Sequence, residues 1–267
     1  MDQRVTPIIV KIGGSVITDK DRNAAAKHSV IQRLATEIAE AHQQPLILVH
    51  GGGSFGHPLA KQYQLGEGYQ RDTQLFGVSK TRQAMMTLNK LFIDSLILKN
   101  VPAITIQPSS CILTNNKRIH EFYTRPIDQV LKWRMIPVLF GDVVIDLAIG
   151  FTILSGDQIM AELATRFHAT NVIAAVDVDG LFTDDPKVNP HAKLINKITL
   201  TELNNTLEGI GKATNVDVTG GMYGKMMELI PVIKQGATVT IINALKANRL
   251  TQALRGNHVI ATQITRT

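Results

Sequence analysis

The sequence predicts an α/β fold around a mainly parallel open sheet. Two observations carry this expectation. Short apolar runs of strand length alternate with segments of helical periodicity, and the runs repeatedly end on glycine or a small polar residue. In an open parallel sheet, those carboxyl ends are where ligands bind.

Pro7–Ile12 (PIIVKI) reads as a buried strand interrupted by one lysine, Lys11, and broken by Gly13, Gly14 and Ser15. From about Ala24 to Ala41, Val30, Leu34 and Ile38 recur at helical spacing. Pro45 opens the strand Leu46–Val49, which runs into His50-Gly51-Gly52-Gly53-Ser54-Phe55-Gly56-His57. A long helix is expected from about Leu75 to Leu98, carrying Met85, Met86, Leu88, Leu91, Phe92 and Ile93. Val101–Gln107 is a third strand, and strands over Ile119–Tyr123 and Ile136–Ile145 flank a helix at Pro126–Arg134. Ser155-Gly156-Asp157 introduces a helix over Gln158–Phe167, and Asn171–Val176 is a buried strand ending at Asp177-Val178-Asp179-Gly180. A polar segment up to Asn215 precedes Gly220-Gly221 and a helix over Met222–Lys234. Strand Thr238–Ile242, a short helix from Leu245 and a strand near Val259–Ile264 complete the order. No internal repeat is visible. A soft boundary near residue 165 divides a single domain into approximate lobes, 1–165 and 166–267, with no flexible linker between them.

With 267 residues, 44% of them hydrophobic, the chain can build one large core. No apolar run reaches the roughly 18 residues of a membrane span. The start, MDQRVTP, lacks the layout of a signal peptide. Cys111 is the only cysteine, which excludes intrachain disulfides and gives a cytoplasmic expectation. The net charge is +6, but the 28 Lys and Arg residues are scattered and aromatics make up only 5%. That pattern argues against nucleic acid and suits phosphorylated metabolites.

Lys11 sits near the end of an apolar strand, so it either snorkels from an edge or projects toward anionic oxygens, with Gly13 and Gly14 leaving room for phosphate beside the backbone. Three consecutive glycines, Gly51 to Gly53, followed by Gly56, exceed what a turn needs and suit a phosphate cradle. No Gly-Lys-Ser/Thr follows, so this is not a Walker A loop. His50 reads as a packed residue at a strand end. His57, between Gly56 and Pro58, is placed at the rim of the loop, able to donate to a phosphate oxygen. No third ligand accompanies the two histidines, and no metal site is expected among them. Lys20, in a charged loop, is either a surface lysine or a second cation over the sheet ends. Lys225, one turn into a helix after Gly220-Gly221, can reach the phosphates of a nucleotide. Asp157 suits a helix N-terminus and would also orient the lysines. Asp177 and Asp179 are placed to meet ribose or base edges, to organise a magnesium hydration shell, or to cap a turn.

Together, Lys11-Ile12-Gly13-Gly14-Ser15 with Thr18-Asp19-Lys20, the loop His50 to Pro58, Leu154-Ser155-Gly156-Asp157, Asp177-Val178-Asp179-Gly180 and Thr219-Gly220-Gly221-Met222 with Lys225 resemble the amino acid kinase superfamily. The Gly-Ser-Phe-Gly-His-Pro form of the second loop is similar to its isopentenyl phosphate kinase family. The likeness covers practically the whole chain. It implies an αβα sandwich, a homodimer, an N-terminal lobe for the phosphate acceptor and a C-terminal lobe for ATP with Mg2+. On the family pattern Lys11 and Lys225 contact ATP phosphates, and Lys20 stabilises the transferring group. Asp157 orders the lysines, and His57 holds the acceptor phosphate. Gly52 and Gly156 lie at the acceptor phosphate, with Gly53 shared with the nucleotide side. Gly13, Gly14, Ser15, Asp177, Gly180 and Gly221 belong to the nucleotide site. The implied acceptor is a small phosphate with a short apolar tail. The alternatives are a phosphonate of the fosfomycin type, an amino-acid or carbamate-type acceptor, and a nucleotide-binding regulator without catalysis. The segment Gly66–Met86, expected to line the tail pocket, carries no diagnostic motif.

Overall fold

The computed structural model describes residues 6–41, 45–184, 189, 191–210 and 222–267. Strand β1 (Ile8–Ile12) leads through the one-turn helix α1 (Gly14–Ile17) to α2 (His28–Ala41) and β2 (Leu46–His50). Helices α3 (Gly53–Gln62) and α4 (Thr73–Ile97) follow, then β3 (Ala103–Thr105), the hairpin β4 (Ile112–Asn115) and β5 (Arg118–Phe122), and α5 (Arg125–Lys132). Strand β6 (Ile136–Phe140) precedes a second hairpin, β7 (Asp142–Asp146) and β8 (Gly150–Leu154). The chain continues as α6 (Gly156–Arg166), β9 (Asn171–Val176), β10 (Lys197–Thr199), α7 (Leu200–Ile210), α8 (Met222–Lys234), β11 (Thr238–Asn243), α9 (Arg249–Leu254) and β12 (Ala261–Thr265).

Among the described residues, eight strands form one sheet in the order β10-β12-β11-β9-β1-β2-β6-β3, and only the β11–β12 pairing in it is antiparallel. This is the expected α/β architecture: parallel strands, apolar on both faces, need a layer of helices on each side. Alternation along β1 shows how the faces divide. Ile9 joins a core with residues of α6 and α8, whereas Ile8, Val10 and Ile12 join a core with residues of α2, α4 and α9. β1 lies between β2 and β9, so its carboxyl end is at the middle of the sheet.

The structure departs from expectation in identifiable places. The stretch Ile136–Ile145 is two strands, not one. Gly141 separates them, its N–H donating to the His50 carbonyl at 3.0 Å, and β7 leaves the main sheet for a four-stranded one ordered β5-β4-β7-β8. The expected strand Val101–Gln107 pairs only over Ala103–Thr105. The triple glycine does not remain a loop: it turns directly into α3, with Pro58 inside the helix. β4, β8, β10 and α7 were not anticipated, and the short helix expected from Leu245 begins at Arg249.

Asp146 fastens the second sheet. Its carboxylate accepts the N–H groups of Asn116 (3.1 Å), Lys117 (2.8 Å), Ala148 (2.9 Å) and Ile149 (3.1 Å), so one buried side chain holds the turns of both hairpins. Burial alone would raise its pKa. The Lys117 amide, the Thr114 hydroxyl and the Ile149 and Ala148 amides outweigh that and hold it at about 2. A carboxyl lowered on folding stabilises most above its unfolded pKa, and that contribution drains away as pH falls through about 2. Asp146→Ala is expected to lower the unfolding free energy by about 2 kcal/mol at neutral pH, by chemical denaturation. The gap to wild type should narrow as the pH falls from 4 toward about 2; a gap independent of pH there would contradict this role.

Candidate active site

Because Lys11 shares its face of β1 with Ile9, it points toward α6 and α8. Those two helices supply its partners. Ser155 caps α6, accepting the Gln158 N–H at 3.1 Å, and so puts Asp157 in the first turn. Lys11 Nζ lies 3.0 and 3.1 Å from the two carboxylate oxygens of Asp157, and Lys225 Nζ, from the first turn of α8, donates to the same carboxylate at 2.5 Å. Lys11 is 6% exposed and Lys225 7%. Two ammonium groups thus share one carboxylate, leaving one positive charge in excess in a largely dry place. Burial lowers the Lys11 pKa to about 8; Asp157 opposes that shift and Lys225 adds to it. For Asp157, burial acts upward, but Lys11 and Lys225 prevail and keep its carboxyl below the usual range. A buried unbalanced cation at the carboxyl end of the central strand is a receptor for an anion.

Beside it, the loops after β1 and β2 meet backbone to backbone. A Cβ on Gly14 would lie 2.3 Å from Gly53 N, and one on Gly51 2.7 Å from Gly14 N. Gly53, at φ +47°, would strike the Thr18 hydroxyl at 2.0 Å. A Cβ on Gly52 would meet Met85 Sδ of α4 at 2.9 Å, and one on Gly156 the His50 carbonyl at 3.2 Å and Lys11 Cε at 3.4 Å. Gly14, Gly51 and Gly53 thus pack backbone against backbone, while Gly156 lies against Lys11.

Lys20 is exposed and pairs with Asp177 at the end of β9, 2.8 Å away. Burial would raise the Asp177 pKa; the Lys20 ammonium and the Ser15 hydroxyl bring it below normal. Gly13 N–H donates to the Ala175 carbonyl at 2.8 Å, and the Ser15 carbonyl accepts from Lys27 at 3.0 Å, tying this first loop to β9 and α2. His57 is exposed in the first turns of α3. Partial burial of the ring and the nearby Lys11 charge lower its pKa, so at neutral pH it presents an uncharged imidazole.

At Gly180 packing alone demands glycine: a Cβ there would lie 2.3 Å from the Thr262 hydroxyl. Gly221 lies outside the described residues. Asp179 Oδ1 is buried without a partner among the described residues. His50 is fully buried, stacked on Phe140 with ring centroids 5.4 Å apart, and burial takes its pKa down to about 4. Its ring nitrogens meet the Gly51 carbonyl (3.1 Å) and the Asn89 side chain (3.3 Å), and Asn89 reaches Thr105. Among the described residues, no group of three His, Cys, Asp or Glu side chains is arranged to hold a metal. Sequence reasoning missed the side-chain roles of Thr18, Ser54 and Asn89. Only Asn89 had a local signal, a polar residue on the apolar stripe of α4.

Comparison with known proteins identifies the family. The profile of the amino acid kinase family matches residues 6–243. The isopentenyl phosphate kinase of Methanothermobacter thermautotrophicus is 38% identical over 265 residues, 97% of this chain and 98% of that protein. The isopentenyl phosphate kinase of Methanocaldococcus jannaschii is 36% identical, covering 93% and 95%. An X-ray structure of isopentenyl phosphate kinase superposes with a TM-score of 0.84 at 35% identity, covering 97% of this chain and 99% of that one.

The interlocked glycines give a direct expectation. Gly53→Ala forces a Cβ against backbone and a buried hydroxyl at positive φ, and should cost about 2 kcal/mol or more in denaturant unfolding. Gly224→Ala, in open space on α8, should cost nothing measurable. Equal stability of the two variants would refute the close approach.

Proposed function

The chain belongs to the amino acid kinase family, in its isopentenyl phosphate kinase branch, and we propose on that footing that it transfers the γ-phosphoryl group of ATP to isopentenyl phosphate, giving isopentenyl diphosphate and ADP. The observation that carries this reading is the excess cation shared by Lys11, Asp157 and Lys225 beside two bare glycine loops.

The physical problem is to bring two polyanions together. Lys11 and Lys225 have the position and charge to hold the phosphates of ATP, with Gly13, Gly14 and Ser15 offering backbone beside them. Residues from about 166 onward would form most of the nucleotide lobe, and 1–165 the acceptor lobe. Mg2+, arriving on the nucleotide phosphates, supplies further charge neutralisation. The acceptor monoester has a second pKa near 6 and is largely dianionic at neutral pH. It needs no general base, in keeping with a site built from lysines. Gly52, Gly156 and the amino-terminal end of α3 would seat that phosphate, with His57 donating to it from the rim. Met85, packed beneath Gly52 and Gly56, would give the tail an apolar floor. Lys20 would leave Asp177 to meet the transferring group, where charge is spread over three equatorial oxygens. Attack is in line, and catalysis consists of positioning and charge stabilisation. Homodimerisation belongs to the same reading. No described helix is long and apolar enough to cross a membrane.

The test is magnesium-dependent ADP release with isopentenyl phosphate, fosfomycin and acetylglutamate offered separately. Saturable turnover confined to isopentenyl phosphate is expected; preference for another acceptor would overturn the assignment. His57→Ala should lower kcat/KM for isopentenyl phosphate about 100-fold while leaving ADP affinity unchanged by calorimetry. An unaltered kcat/KM would remove His57 from the acceptor site.

A further inference from the structure

Thr18 is fully buried between the two glycine loops, and its hydroxyl joins them. Its Oγ1 donates to the Gly14 carbonyl at 2.7 Å and accepts the Ser54 N–H at 3.0 Å. The first bond is the local back-bond that threonine commonly makes to the residue four before it. The second crosses to another strand's loop, 36 positions along the chain. Gly53 leaves the space for it: any Cβ there would overlap the hydroxyl.

Ser54 also ties in the Lys20 loop. Its carbonyl accepts the Ala24 N–H at 3.0 Å and its hydroxyl donates to the Ala25 carbonyl at 3.4 Å. The Lys20 loop itself is closed by the Thr18–Ala26 bridge and by Asp19 N–H to the Ala25 carbonyl at 2.9 Å. Three segments therefore meet at the Thr18–Ser54 pair: the loop beside Lys11, the loop leading to His57, and the loop bearing Lys20.

We propose that Thr18 is a positioning residue that fixes the separation and alignment of donor and acceptor phosphates; the proposal rests on the kinase reading above. In-line transfer requires the reacting atoms within about 3–3.5 Å, and a displacement of about 1 Å costs on the order of 100-fold. Neither loop can set that distance by itself, because each is fixed to a different strand. The Thr18 hydroxyl ties the two turns to each other, beyond the Gly51 N–H to the Ile12 carbonyl at 2.9 Å that joins them at the strand ends. Val in its place keeps the shape, and the Gly14 carbonyl keeps the Thr18 N–H at 2.9 Å, but the Ser54 N–H loses its acceptor and can be satisfied only if the loop after β2 moves.

The experiment compares wild type, Thr18→Val and Thr18→Ser in turnover of isopentenyl phosphate with MgATP. Calorimetry of ADP, of isopentenyl phosphate, and of a bisubstrate compound joining adenosine and an isopentenyl group through four phosphates accompanies it. For Thr18→Val the expected result is a kcat about 10- to 100-fold lower, with both KM values within about threefold of wild type. Affinity for the bisubstrate compound should fall at least about tenfold while the single ligands bind as before. Thr18→Ser, which keeps the hydroxyl, should stay within about threefold of wild type throughout. A Thr18→Val variant with wild-type kcat overturns the proposal, as does one that loses single-ligand and bisubstrate affinity in equal proportion. Should Thr18→Val fail to fold, Thr18→Ser decides: near-wild-type kcat supports the hydroxyl, and a tenfold loss refutes it. Wild type inactive on isopentenyl phosphate would instead strike the kinase reading, and this proposal with it.

Discussion

Lys11 and Lys225 are buried against a single carboxylate, and the charge left over constrains much of what surrounds them. Removing an ammonium group from water costs on the order of several kcal/mol even after relaxation, and one Asp157 cannot compensate two. The fold meets that cost by placing the cluster where other favourable terms converge: at the carboxyl end of the central strand, under the starts of α6 and α8. A core of Ile9, Ile159, Met160, Met226 and Leu229 holds both helices in place. Any bound polyanion then completes an electrostatic arrangement that the protein alone leaves unbalanced.

The second constraint is steric and follows from strand order. β1 and β2 are neighbours in register, Lys11 beside Val49 and Ile12 beside His50, so whatever follows each strand collides with its counterpart unless side chains are absent. Gly14, Gly51 and Gly53 answer that collision. On the proposed reading the same residues would also offer backbone to phosphate, so one set would meet a packing demand and a binding demand together. His50 stabilises the junction from below as a neutral ring. With a pKa of about 4 it carries one N–H at neutral pH, and both ring nitrogens face acceptors, one the Gly51 carbonyl and the other Asn89 Oδ1, so the ring donates to one of the two.

How far the sequence reveals this depends on whether the relevant signal is local. A lysine inside an apolar strand, three glycines after the next strand and an acid at a capped helix start are local anomalies, and each marks a group of the cluster. The α/β class was legible for the same reason, since buried strands and amphipathic helices have their own periods. Pairing is not local. Ile136–Ile145 carries Gly141 and Asp142 at its centre, but nothing local says that the strands on either side belong to different sheets; Gly141, bonded to the His50 carbonyl, marks where they part. The start of α3 was hidden because glycine and Pro58 weigh against a helix, whereas its packing beneath the loop overrides propensity. Thr18 looks like any threonine in a polar loop, because its partner Ser54 is reached only through the adjacency of β1 and β2. Gly180 shows the converse: a glycine next to motif acids whose cause is Thr262 on a distant strand.

The account turns on the excess cation being met by nucleotide phosphate, and proton linkage measures that directly. Burial lowers the Lys11 pKa to about 8, so near that pH part of the unliganded protein lacks this proton, and a bound phosphate should restore it. Calorimetry of ADP binding at about pH 8, in buffers of different ionisation enthalpy, should show net proton uptake, abolished in Lys11→Arg. ADP binding with no proton uptake in the wild-type chain would contradict the placement of Lys11 at the phosphates.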